Sequence, residues 1–120
     1  MASLRRFVKL EWGRVPKARF DRSVPAHVAY VKRLQREGRF AESGYWTTRP
    51  PRQALKAGRG SGPVPVVMKG GAGGMMVFEA KNLREARTIV AKDPLVANRL
   101  VTYELREWKL VVARPTTRRR

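Results

Sequence analysis

The chain contains no cysteine and a single histidine, His27. Disulfide frameworks, thiolate metal sites and cysteine nucleophiles are thereby excluded, and one imidazole is too few for a histidine metal cage. Acids are scarce as well: 9 Asp and Glu stand against 27 Lys and Arg. No apolar run approaches the ~20 residues that a membrane-spanning helix needs. The apolar stretch at residues 7–12 is short and broken by Lys9 and Glu11, which excludes a secretory signal there. The residue set implies no cofactor and no metal.

What is present is positive charge. The formal net charge is +18 over 120 residues. That length suits one domain, residues 1–120, with a two-layer core. So much like charge repels itself on a small surface. A polyanion offsets it, so RNA or DNA phosphate is the first expected partner and an anionic membrane surface the second. The bias of the first twenty residues resembles an organellar import segment, although the same residues read as a strand.

Residues 4–12 have a strand period of two, with Val8, Leu10 and Trp12 alternating with Lys9 and Glu11. A basic loop with Pro16 follows. Residues 23–38 read as a helix, with Ser23 as N-cap, Pro25 in the first turn and Gly38 just past the end. Its inward stripe is Val24, His27, Val31 and Leu34, with Tyr30 beside it. Residues 39–46 read as a second strand carrying Phe40, Tyr45 and Trp46, with Gly44 allowing close backbone approach. Tyr45 and Trp46 suit either a strand core or stacking on bases, and the core is the simpler reading.

Residues 47–74 form a Pro/Gly-rich basic insertion without a single acid, and residues 113–120 form a basic tail. Arg49, Arg52, Lys56, Arg59, Lys69, Arg118, Arg119 and Arg120 are the candidate phosphate contacts. The run Gly70-Gly71-Ala72-Gly73-Gly74 is not a nucleotide loop, because it opens a strand rather than a helix. Residues 75–80 are that strand. Asn82 is a helix N-cap with Glu85 three residues on, and Leu83, Ala86, Ile89 and Val90 share one helical face. Asp93-Pro94 stops the helix. One further helical turn and a last strand, running from residue 101 through Val112, complete the order β-α-β-β-α-β. That order predicts an α+β, ferredoxin-like sandwich with an antiparallel sheet and both helices on one face.

The stretch His27-Val28-Ala29-Tyr30 with Leu34 and Gly38, then Gly44, Gly73-Gly74, Ala86, Asp93-Pro94 and Trp108, resembles the YciI-like family of YCII-related domains. The resemblance implies a dimeric α/β-barrel protomer, with a second copy, or a pseudo-dimer, covering the free sheet face. It also implies an acid–base pair, which falls on His27 and Asp93. A carboxylate beside an imidazole fixes its tautomer and suits proton transfer. No Ser-His-Asp set can be assembled from sequence, because Ser43 and Ser61 have no motif around them.

The charge and the long basic insertion set the leading expectation. It is a structural, RNA-contacting subunit of a ribosome or other ribonucleoprotein, beside protein neighbours in a mitochondrial matrix or bacterial cytoplasm. The alternatives are a small-molecule enzyme using His27 and Asp93 (lyase, isomerase or hydrolase-like) and a non-catalytic homodimer.

Overall fold

The computed structural model describes residues 3–46, 73–113 and 115. Their element order is β1 (Arg5–Gly13), α1 (Lys17–Arg36), β2 (Glu42–Tyr45), β3 (Gly74–Ala80), α2 (Leu83–Ala91), α3 (Pro94–Ala97) and β4 (Val101–Glu107). The four strands form one antiparallel sheet in the order β2-β3-β1-β4. This is the ferredoxin-like α+β sandwich of a dimeric α/β-barrel protomer. No helix among the described residues is long and apolar enough to cross a membrane.

The core lies between the sheet and the helices. Phe7 of β1 and Phe78 of β3 stack with ring centroids 6.0 Å apart. Tyr30, Val31 and Leu34 of α1 and Ala86, Ile89 and Val90 of α2 close over them. Each large apolar side chain buried in this way contributes ~1.5–3 kcal/mol. The stripe expected on α1 is the buried one, and it carries His27 inward with Tyr30 and Val31.

Register decides which face of β1 meets the helices. Phe7, Lys9 and Glu11 share one side of the strand and are all buried. Val8, Leu10 and Trp12 point to the opposite, half-buried side. The apolar face of β1 is therefore the open one, and its charged residues enter the core.

Several boundaries differ from expectation. The first helix begins at Lys17, six residues before Ser23, and keeps Pro25 in its interior. A proline there forfeits one backbone hydrogen bond. The added turns are held by Phe20, which packs with Val15 against Leu95, Leu100 and Val101. The second strand is shorter, Glu42–Tyr45, and Phe40 is 71% exposed with a left-handed φ of 49°. Tyr45 is 80% exposed and is no core aromatic. The last strand ends at Glu107 rather than continuing through Val112.

The glycines that close residues 73–74 answer a steric need. A Cβ at Gly74 would stand 2.1 Å from the carbonyl oxygen of Gly44. A Cβ at Gly73, which has a φ of +79°, would stand 2.2 Å from that of Glu11. Gly38, with a φ of +81°, ends α1 as expected. Asn82 caps α2 by accepting the Glu85 N–H at 2.9 Å. Glu85 in turn accepts the Lys81 N–H at 2.7 Å and pairs with Arg39 through both oxygens, at 2.7 and 3.2 Å.

Candidate active site

Three elements bring one buried cluster together: the middle of β1, the middle of α1 and the α2–α3 junction. At the junction, Asp93 is the N-cap of α3 and accepts the Leu95 N–H at 2.9 Å. That capping bond turns its carboxylate into the core, where the residue is 0% exposed. His27 reaches it from α1, with Nδ1 lying 2.9 Å from Oδ1 and 3.0 Å from Oδ2. Lys9 reaches it from β1, donating from Nζ to Oδ2 at 2.6 Å. The same ammonium lies 2.6 Å from Glu11 Oε1. That second contact is ionic, since Oε1 has no aligned hydrogen bond among the described residues.

Burial pushes the Asp93 carboxyl up, but the hydrogen bond from His27 and the charge of Lys9 outweigh it and hold it below the ordinary value. Asp93 is thus ionised at neutral pH and acts only as an acceptor. Nδ1 of His27 is then the donor, and in the neutral ring that tautomer leaves Nε2 as the acceptor nitrogen. Nε2 lies 2.8 Å from Ser43 Oγ on β2. Nearby, Tyr30 donates its hydroxyl to the Ile89 carbonyl at 2.7 Å. Burial, and after it the Asp93 charge, raises that phenol.

A cavity of about 960 Å³ opens on the Nε2 side of His27, between α1 and β2. Its walls include Phe20, Val28 and Trp46, with Lys17, Lys32, Glu11 and Asp21 as its charged groups. Such a chamber, apolar with a few polar groups of both signs, suits a small organic ligand.

The structure thus brings His27 and Asp93 into contact across 66 residues of sequence. Arg49, Arg52, Lys56, Arg59, Lys69, Arg118, Arg119 and Arg120 lie outside the described residues. Lys9, Glu11 and Ser43 were missed as site residues. The period-two pattern of β1 held the signal for Lys9 and Glu11, since it sets both on the side of Phe7. Nothing local to Ser43 marks it, because its partner is 16 positions away.

A family model described as the YCII-related domain matches residues 13–109. No curated protein matches the chain. Among solved structures, the chain is similar to 5-chloro-2-hydroxyhydroquinone dehydrochlorinase from Burkholderia phenoliruptrix, in complex with 2,5-dihydroxybenzoquinone. The identity is 18% and the TM-score 0.54, over 87% of this chain and 93% of that one. At that identity the likeness speaks for the fold.

These matches overturn the expectation of an RNA-contacting ribosomal subunit, and the ribonucleoprotein and mitochondrial readings fall with it. The physical reason is that net charge is a sum. It measures how strongly a surface attracts anions and does not choose between a polyanion and a small anionic ligand.

Proposed function

The chain belongs to the YCII-related domain family, and on that premise we propose that it is a small-molecule enzyme with His27 as acid–base group and Asp93 as its orienting partner. The observation that carries the reading is the buried Asp93 carboxylate, 2.9 Å from Nδ1 of an imidazole whose Nε2 side meets a cavity. A base needs a defined tautomer, a fixed ring plane and access to substrate. Asp93 supplies the first two and the cavity the third. Lys32 lines the same cavity and would favour a negative charge developing on the substrate, whereas Lys17 is paired with Asp21 at 2.6 Å. The similar dehydrochlorinase handles a hydroxylated six-membered ring, and planar ionisable rings are the class we assign to this cavity.

The protein acts as a homodimer in this reading. Val8, Leu10, Trp12, Met75 and Val77 form a half-buried apolar centre on the sheet face away from the helices. A second copy packed on it would exclude water from all five.

The test is turnover of a panel of hydroxylated quinols, quinones and lactones by the wild-type protein, His27→Ala and Asp93→Asn. The expected result is activity on at least one ring substrate, reduced ~100-fold or more by either change. Turnover that His27→Ala leaves intact, or a panel with no substrate in it, would overturn the proposal.

A further inference from the structure

We propose that Ser43 is a nucleophile activated by His27, so that this site also cleaves small activated esters or lactones through an acyl-serine. The inference rests on the acid–base reading of His27 above and assigns a covalent step to a residue outside it. Ser43 Oγ lies 2.8 Å from Nε2, and Nδ1 lies 2.9 Å from Asp93 Oδ1. Because Asp93 can only accept, Nδ1 holds a proton, and in the neutral ring Nε2 is the acceptor. In that form Ser43 donates its hydroxyl proton to Nε2, which is the polarity a base needs to activate an alcohol. Nucleophile, base and orienting carboxylate in that sequence of contacts define the serine hydrolase constellation by geometry rather than by fold.

Placement on β2 supports the role. His27 is buried and Ser43 is exposed, and both line the cavity. The hydroxyl therefore stands between the base and an entering ligand. The ladder also aims a donor there. Trp46 donates its N–H to Gly73 at 2.9 Å, so Trp46 and, two residues back, Gly44 are the hydrogen-bonded sites facing β3. Ser43 and Tyr45 are the intervening sites, and their N–H groups point off the sheet edge. The Ala41 carbonyl, of the same parity, accepts from Gln35 of α1 on that side. The Ser43 N–H thus lies outside the β3 ladder and would donate to the substrate oxyanion once Oγ has added to the carbonyl carbon.

In the first step, Oγ forms a bond to the ester carbonyl carbon and its proton passes to Nε2. The carbonyl π pair moves onto oxygen. Collapse breaks the bond to the leaving oxygen, which takes the proton from Nε2 and departs as the alcohol. Water then attacks the acyl carbon, giving a proton to Nε2. Expulsion of Oγ, which takes that proton back, releases the carboxylic acid and restores Ser43. The sum is ester plus water to acid plus alcohol.

The experiment treats the full chain with an alkyl fluorophosphonate and with p-nitrophenyl acetate, followed by peptide mass spectrometry. One phosphonyl group is expected on Ser43, none on Ser43→Ala, and labelling ~100-fold slower in His27→Gln. Hydrolysis of p-nitrophenyl acetate should fall by a similar factor in Ser43→Ala. A wild-type protein unlabelled at Ser43, or labelled as fast without His27, overturns the assignment, and the wild-type result needs no variant to fold. If Ser43→Ala resists both reagents while His27→Ala loses ring turnover, the inference stands, whatever Ser43→Ala does to that turnover. If Ser43→Ala keeps both activities, the nucleophile is wrong and the acid–base reading survives. If His27→Ala also keeps both, the two fail together.

Discussion

Lys9 Nζ lies 2.6 Å from Asp93 Oδ2, with both side chains 0% exposed and 84 positions apart in sequence. One ammonium thus ties the centre of the sheet to the junction that presents the candidate acid–base pair. It also keeps two buried carboxylates, Asp93 and Glu11, from facing each other uncompensated.

Removing that cation is therefore expected to be severe. Lys9→Met should destabilise the protein by about 3–5 kcal/mol, the range for breaking a buried ion pair from one side. Adding Glu11→Leu should recover part of the loss, because one of the stranded charges is gone. Urea denaturation of the single and double variants measures both. A Lys9→Met protein as stable as wild type would mean that the ammonium is not buried between the carboxylates.

Stability should also fall in acid, with a sign set by Asp93. Its folded value lies below the ordinary 3.8. As pH drops, the unfolded chain takes up the proton first, so the stabilisation is complete above 3.8 and is lost as pH falls through the folded value. Glu85, held low first by its hydrogen bond from Arg39, adds in the same direction. Urea midpoints across this range should show the stability gap between wild type and Asp93→Asn narrowing as pH falls below 3.8. A gap that is independent of pH would contradict an ionised Asp93.

The cap of α2 offers a change outside the site. Asn82→Ala removes the acceptor for the Glu85 N–H. It should lower stability by ~1 kcal/mol and leave turnover unchanged. Paired melting and activity assays separate the two effects. Lost activity at full stability would mean that this helix end contributes directly to the site.

On the open sheet face, Leu10→Asp places a charge at the middle of the apolar patch. Sedimentation across a dilution series should show a wild-type dimer and a monomeric variant. A wild-type monomer at every concentration would leave this face to another partner.

Much of the architecture was legible because it rests on local rules. The α1 stripe, the Asn82 cap, the Gly38 stop and the Asp93-Pro94 break each follow from residues within a few positions. The pairing of His27 with Asp93 was reached by resemblance, and the geometry supplies its contacts. What stayed hidden depends on long-range packing. Pro25 reads as a first-turn residue until Phe20 is seen anchoring the turns before it. The pattern of β1 sets Lys9 and Glu11 on the side of Phe7, but their partner Asp93 lies 84 positions from Lys9. Ser43 shows nothing until β2 is laid against α1.

The most direct measurement uses the fact that His27 is the only histidine in the chain. A two-dimensional ¹H–¹⁵N spectrum of the imidazole at neutral pH reports a single ring without ambiguity. The account predicts that the neutral form of the ring carries its proton on Nδ1, an assignment lost in Asp93→Asn and perturbed in Ser43→Ala. A proton fixed on Nε2, or a ring that averages both tautomers as a solvent-exposed histidine does, would contradict it.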